Sequence, residues 1–522
     1  VPDVLPIGMQ NILRYCEPGL RTRVEVRNDI RMIHYFQSQG QKIALDVYSG
    51  AVHLLDDLSY ALLDQLATLQ NEGLFVPQNG IDDATREEAK ARVLSSSPAF
   101  CAEEAEEALA DLATLIAQKR LFTEDPYADL VLNLRERKTY VKALCLNVAH
   151  TCNLDCDYCF ASQGKYHGER VLMTKEVAER AIDFVLNASG PHRQIDIDFF
   201  GGEPMLNWSL VKDTVAYARE KEAEPGKQFR FTFTTNGMLL DEEVTAFLNR
   251  EMHNVVLSLD GRKEVHDRLR HTIDGRGSYD RIVPRFRAFV KDRGDKEYYM
   301  RGTFTKNNVD FFQDVLHMAN LGFYRLSMEP VIGDPNEPYM LGPEDLPTLL
   351  DEYDKLAAEM IRRNRLARKV TREGGSINDL APSDHPFVFY HFMMNLEGGP
   401  CIHKRIAGCG SGVEYLAVTP QGELYPCHQF VGEDAFAVGN VWEGITKPEV
   451  TEPFKACNCY SHPECADCWA KLYCSGGCAA NALHASGSLT GTVPFSCALF
   501  RKRMECALAI QADLALSAQE EN

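Results

Sequence analysis

The residues most able to do chemistry are cysteines, and they are grouped. Of 17 cysteines in 522 residues, Cys152, Cys156 and Cys159 form one short cluster, and the eleven from Cys401 to Cys506 form another. Cys16, Cys101 and Cys145 stand apart. Disulfide frameworks belong mainly to small secreted chains, whereas clustered cysteines in a reducing compartment more often bind metal. The first cluster reads His150-Thr151-Cys152-Asn153-Leu154-Asp155-Cys156-Asp157-Tyr158-Cys159-Phe160, a C-x3-C-x2-C spacing. Three thiolates on one loop can hold three corners of a cubic iron–sulfur cluster, and full ligation needs a fourth. A local triad therefore leaves one iron open to a substrate. The same triad could hold zinc if His150 or His167 supplied a fourth ligand. The second group contains Cys465-x2-Cys468-x5-Cys474-x3-Cys478, with Cys401, Cys409 and Cys427 before it and Cys497 after it. Its C-x2-C pair also suits a zinc ribbon.

Composition bounds what carries these residues. The chain is 45% apolar and 25% charged, as a folded protein is, and not as a disordered or collagen-like one is. At roughly one domain per 150 residues, about two to four domains are expected. A net charge of −20 opposes a nucleic-acid binder, which needs a basic face. No uncharged apolar run reaches the roughly 18 residues of a membrane-spanning helix. The opening segment VPDVLPIGMQNILRYCEPG lacks a basic start and a long apolar core. The expectation is a soluble, cytoplasmic protein with no membrane and no nucleic-acid partner.

Periodicity divides the chain. Residues 1–30 form an extension without clear pattern. The runs MIHYF, KIALDV and AVHLL predict three strands. Helical patterns follow at 56–70, 84–95 and 102–118, the last with Leu109, Leu112, Leu115 and Ile116 on one face. Together they make a unit at 31–122, followed by a charged linker at 123–139. From 140 to 331, six strand-like runs (YVKALCLNVA, QIDIDFF, FRFTFTTNG, NVVLSLDG, EYYMRGTF and RLSMEPV) alternate with amphipathic stretches. That alternation predicts an α/β fold, a parallel sheet with helices outside that can curve into a partial (β/α)6 barrel. Such barrels place chemistry at the C-terminal strand ends. The unusual tetrapeptides sit there: Gly201-Gly202-Glu203-Pro204, Thr234-Thr235-Asn236-Gly237 and Ser258-Leu259-Asp260-Gly261. Each alone is an ordinary turn. Residues 332–400 read as a helical bridge, and 401–522 as a Gly- and Cys-rich domain with a C-terminal helix. Its core-forming runs are short, so bound metal would supply folding energy.

With the cysteine triad, these strand ends resemble the signature of radical S-adenosylmethionine (SAM) enzymes over 140–331. The resemblance implies that Cys152, Cys156 and Cys159 hold a 4Fe-4S cluster whose open iron chelates SAM. Tyr158 precedes the last ligand. Gly201, Gly202, Glu203 and Pro204 are implied at the SAM amino group, with Thr235 and Asn236 closing the next strand. Ser258 and Asp260 are implied at the ribose, and Arg270, in HDRLR, at the carboxylate. One-electron cleavage of SAM would give a 5′-deoxyadenosyl radical that abstracts hydrogen from carbon, the protein positioning it and excluding side reactions.

Over about 401–500, the spacing Cys409-x12-Gly422-x4-Cys427, then Cys465 to Cys478, then Cys497, is similar to the seven-cysteine SPASM extension of peptide-modifying radical SAM enzymes. The resemblance implies two auxiliary clusters, three 4Fe-4S clusters in all. Cys409, Cys427 and Cys478 would hold the first, with Cys401 as its fourth ligand. Cys465, Cys468, Cys474 and Cys497 would hold the second. Without Cys401, the first cluster keeps an open iron that a substrate thiol could occupy and be deprotonated on. Cys457, Cys459 and Cys506 fall outside the pattern and read as small buried residues.

The 31–122 unit resembles the winged-helix-like recognition element of ribosomal-peptide maturation enzymes, which bind a leader peptide as an added strand. A DNA-binding helix-turn-helix is the other reading, opposed by the acidic helix at 102–111. The phrases IHYFQSQGQKIALDVYSGAVHLLDD, AGCGSGVEYLAVTP and LYPCHQFVGE resemble maturases of six-cysteines-in-forty-five (SCIFF) peptides and related ranthipeptide thioether synthases, over about 30–510. This implies a Cys-rich precursor peptide bound through its leader, and a reductant such as flavodoxin or ferredoxin. The same machinery could instead make formylglycine or carbon–carbon links. A non-catalytic iron–sulfur electron carrier would need no SAM pocket. Arg301, Glu329 and His428 are expected near the substrate cavity, and Met328 in the core.

Overall fold

The computed structural model describes residues 32–97, 99–131, 138, 140–166, 168–222, 226–394 and 401–519. The readings made for residues 1–30, for Cys16 and for His167 lie outside them.

The chain opens on an antiparallel meander of β1 (Ile33–Ser38), β2 (Gln41–Asp46) and β3 (Val52–Leu55). Gln39 and Gly40 both have positive φ, the two-residue turn whose twist matches a hairpin. Three helices follow: α1 (Asp57–Asn71), α2 (Asp83–Ser96) and α3 (Ala102–Ala117). Asp56 and Asp82 cap the first two by accepting from Ser59 N and Thr85 N. Leu62, Leu66, Leu109, Leu112 and Ile116 bury between them, while Leu115 is only half-buried. The three strands and three helices thus form where periodicity places them.

The parallel sheet follows chain order: β4 (Ala143–Ala149), β5 (Gln194–Gly201), β6 (Gln228–Thr235), β7 (Asn254–Ser258), β8 (Tyr298–Phe304) and β9 (Arg325–Pro330). Between them run α4 (Lys175–Ala188), α5 (Trp208–Lys221), α6 (Glu242–Glu251), α7 (Lys263–Leu269), α8 (Tyr279–Arg293) and α9 (Phe311–Asn320). Alternation separates the two faces. Ile195, Ile197, Phe199, Phe229, Phe231, Phe233, Val255, Leu257, Met300, Leu326 and Met328 are fully buried in the core. Their neighbours Asp196, Phe200, Thr234, Ser258, Arg301 and Glu329 point to the opposite face and stay partly open. A sheet dry on one face and polar on the other is a scaffold for a site on the polar face.

After α10 (Leu346–Arg372), β10 (Val388–Phe389) adds a short parallel strand beside β9. The sequence predicts helix throughout that region. Two residues with no alternation to show are too few to signal a strand. Beyond α11 (Ile402–Ala407), β11 (Tyr415–Val418) pairs parallel with β4. Then β12 (Glu423–Tyr425), β13 (Gly439–Asn440) and β14 (Gly444–Ile445) continue antiparallel. The Cys-rich segment therefore extends the same open sheet. It ends in α12 (Pro448–Ala456), α13 (Lys471–Cys474), α14 (Ala479–Ser486) and α15 (Pro494–Gln519), the last packed along α10 and against β1 and β2. His34 of β1 stacks on Trp469 with centroids 3.7 Å apart and bonds Glu505 at 3.0 Å, joining the first unit to the last.

Candidate functional site

The cysteine loop leaves the end of β4 and is strapped to two neighbouring strand ends. Gly202 N donates to Ala149 O at 2.8 Å and Glu203 N to Thr151 O at 3.0 Å. Only glycine allows this approach: a Cβ on Gly202 would lie 2.2 Å from the Thr151 carbonyl oxygen, and one on Gly201 2.5 Å from that of Ala149. On its other side the loop bonds the segment after α7, through Asp155 N to His271 O at 2.9 Å and Asp157 N to Leu269 O at 3.0 Å.

Glu203 is a brace. It is fully buried and accepts from Met205 N, Thr235 Oγ1 and Asn236 N at 2.8–3.0 Å. Burial pushes its carboxyl up to about 7, against those three bonds. Asn236 carries the connection onward: its Nδ2 donates to Asn153 Oδ1 at 2.8 Å and lies 3.7 Å from Cys152 Sγ. Pro204 follows, buried, beneath the same turn.

Asp260 is the second anchor, also fully buried. Its Oδ2 accepts from Tyr158 Oη at 2.6 Å and Arg270 Nε at 2.8 Å, and its Oδ1 from Thr303 N at 2.9 Å. Arg270 also lies over the Tyr158 ring, 5.3 Å from its centroid. Burial alone would raise the Asp260 pKa, but Arg270 outweighs it and holds the carboxyl below its usual range. Tyr158, Asp260 and Arg270, chosen separately from sequence, are thus one network. Asp260's oxygens are engaged by protein donors, so its role here is to orient Tyr158 and Arg270. Ser258 ends β7 on the inward face, in register with Arg301.

The donor set fits an iron–sulfur cluster. The thiols of Cys152, Cys156 and Cys159 feel one another's charge. Burial pushes Cys152 up to about 12 and Cys156 well up, so bound cationic iron is what would make them thiolates. Among the described residues, no three His, Cys, Asp or Glu side chains stand close enough to hold one metal ion. His150 is buried, stacks on Tyr166 at 4.7 Å, and has an Nε2 without a hydrogen-bond partner. Burial lowers its pKa to about 4.

The Cys-rich segment gathers two more groups. Cys427 feels the charge of Cys409 and Cys478, with burial pushing it up to about 12. Cys465 feels Cys468, Cys474 and Cys497. The two foursomes implied by the resemblance are thereby brought together, save Cys401, which is exposed at the start of α11.

Between the first triad and Cys427 lies an aromatic wall of which the sequence reading named only His428. Tyr166 feels both Cys159 and Cys427. The His428 ring sits 5.7 Å from Phe160 and 5.0 Å from Phe200, and burial lowers its pKa to about 4. Farther along the inward face, Glu329 lies 4.0 Å from Arg301. It also pairs with His391 at 3.0 Å and Arg503 at 3.7 Å. Against burial, which raises a carboxyl's pKa, His391, Arg503 and Arg301 hold Glu329 at about 2. Alternation on β9 signals that Glu329 faces inward. Nothing local signals His391 or Arg503, which come from segments 62 and 174 residues later.

Residues 146–299 match the family model of the radical SAM superfamily. The chain is 21% identical over 363 residues to the radical SAM cyclopropyl synthase TigE of Paramaledivibacter caminithermalis, covering 66% of this chain and 70% of that one. It is 24% identical over 346 residues to the Cysteine-type anaerobic sulfatase-maturating enzyme of Clostridium perfringens, covering 63% of this chain and 85% of that one. The solved structure of anSMEcpe with bound AdoMet and the Kp18Cys peptide superposes with a TM-score of 0.55 at 21% identity, covering 72% of this chain and 99% of that one. No helix among the described residues is long and apolar enough to cross a membrane. A triad of half-buried thiols at the end of β4, braced by the glycine turn and by Asp260, falls within the segment that matches the radical SAM superfamily model.

Proposed function

We propose that this protein installs thioether crosslinks between a cysteine sulfur and a carbon atom in a Cys-rich, leader-bearing peptide, as SCIFF and ranthipeptide maturases do. One observation carries the reading: a cluster of rings, Phe160, Tyr166, Phe200 and His428, stands between the Cys152–Cys156–Cys159 loop and Cys427 of the Cys409–Cys427–Cys478 group. Hydrogen abstraction from carbon and an auxiliary centre that takes up the released electron would then lie on either side of these rings. When bound, the reduced cluster and SAM supply the 5′-deoxyadenosyl radical that takes hydrogen from carbon. Each crosslink also releases one thiol proton and one electron, and the auxiliary cysteine groups are placed to hold centres that receive the electron.

The chain's own residues do the rest. Asp260 fixes Tyr158 and Arg270 at the cofactor. Glu203 fixes Thr235 and Asn236 against the cysteine loop. Among the described residues, β1 and β3 are the edge strands of the three-stranded sheet, and either edge could take a leader strand. The similarity to sulfatase-maturating enzymes favours formylglycine formation as the second reading.

The first test is 5′-deoxyadenosine release by the reconstituted chain with SAM and a reductant such as flavodoxin. Release supports the reading; none, from protein shown to hold its clusters, contradicts it. Cys468→Ala is expected to retain SAM cleavage within about tenfold but to yield no crosslinked peptide, because its group serves electron flow rather than SAM. Full crosslinking by this variant would remove the auxiliary role.

A further inference from the structure

Three cysteines fall outside the seven-cysteine pattern, and the structure separates them. Cys459 and Cys506 are 0% exposed within apolar clusters, as structural residues are. Cys457 is different. It directly follows α12, half-buried, and lines the same cavity as Cys409, together with Gly408, Gly410, Gly477 and Ala479. Gly477 and Ala479 flank Cys478 in the chain, so this cavity is the one on which the first auxiliary group converges. The Cys457 thiol feels the charge of two cysteines, Cys409 and Cys478. These are the same two that Cys427 feels.

Cys401 has neither property. It is exposed, and it does not line that cavity. The six residues of α11 separate it from Gly408, a helical span of about 9 Å. The sequence pattern points to Cys401 because it precedes Cys409 by eight positions, but the rigid helix between them keeps the two apart.

We propose that Cys457, in place of Cys401, is the fourth thiolate of the first auxiliary site. This rests on the reading that Cys409, Cys427 and Cys478 hold a cluster. On ligation, the Cys457 thiol proton, now donated to Leu489 O at 3.4 Å, leaves to solvent. With four protein thiolates, the site offers no iron to a substrate thiol unless Cys457 gives way.

The test compares alkylation rates of individual cysteines in the anaerobically reconstituted full chain and in the same chain stripped of iron. Cys457 is expected to react about tenfold more slowly in the reconstituted chain, along with Cys409, Cys427 and Cys478, and Cys401 equally fast in both. Reconstituted Cys457→Ser and Cys401→Ser, with saturating SAM occupying the open iron of the first cluster, are then titrated with free cysteine and followed by Mössbauer spectroscopy. The Cys457 variant is expected to show one altered iron site on thiol addition, and the Cys401 variant to match the unmutated chain. Protection of Cys401 with free Cys457 would overturn the proposal, as would thiol binding confined to the Cys401 variant or already present in the unmutated chain. A chain that holds only about four irons, with Cys409, Cys427 and Cys478 all reactive, would overturn the underlying reading as well. The footprint uses the unmutated protein, so it stands whether or not the variants fold.

Discussion

Cys152→Ala is expected to bring SAM cleavage down to background, a loss of at least about three orders of magnitude, or about 4 kcal/mol of barrier. The reason is attachment. Cys152 is one of three thiols on a single loop, and it is tied to the rest of the site through Asn236, which also bonds Asn153. Two remaining thiols cannot hold a cluster with one free corner in place. The fold should survive, because Cys152 packs at the edge of the core rather than inside it. Iron content, measured beside 5′-deoxyadenosine release, separates the causes: about four irons per chain should be lost while the auxiliary groups stay filled. Cleavage retained in this variant would remove the triad from the account.

Asp260→Asn has the second-largest expected effect, on stability and cofactor affinity together. It leaves the Arg270 guanidinium buried without a counter-charge, a change that costs about 3–5 kcal/mol. It also leaves one acceptor oxygen for three donors, Tyr158 Oη, Arg270 Nε and Thr303 N, and turns an amide NH2 toward at least one of them, which loosens the network that holds Tyr158. SAM affinity should fall about 10- to 100-fold, as when the partners that orient a ligand are removed. The pH dependence has a defined sign. Asp260 titrates lower in the folded protein than in the unfolded chain, so its stabilisation is complete above the ordinary aspartate range near pH 4 and is lost as pH falls below it. The variant should therefore lose less stability than the parent on acidification below about pH 4. Denaturant midpoints across that range, with equilibrium dialysis of SAM, check both parts. Equal midpoints and equal affinity would reduce the Tyr158–Asp260–Arg270 network to a bystander.

How much of this was legible in the sequence depends on the range of each interaction. The alternation in QIDIDFF and FRFTFTT fixes which residues face the helices, because strand period and burial are local properties. Hence Ile197, Phe199, Phe231 and Phe233 are buried as expected. The strand-end motifs are equally local, and the structure places Glu203, Thr235, Asn236 and Asp260 at the ends of adjoining strands. What could not be read is which motif residues touch. Asp260 and Tyr158 lie 102 positions apart, and only the assembled parallel sheet brings them together. The same holds for β11, which joins the Cys-rich segment to β4 across about 270 residues. Spacing along the chain shows that Cys401 stands eight positions before Cys409, whereas the helix α11 between the two is not visible in spacing.

The most direct test of the central claim is the mass of a Cys-rich, leader-bearing peptide after anaerobic incubation with the reconstituted enzyme, SAM and reductant. A thioether removes one thiol hydrogen and one carbon-bound hydrogen. The account predicts a loss of about 2 Da per crosslink, with one thiol fewer to alkylate for each, and a matching yield of 5′-deoxyadenosine. A product about 18 Da lighter that reacts as an aldehyde, or one about 2 Da lighter with every thiol still alkylatable, would contradict it.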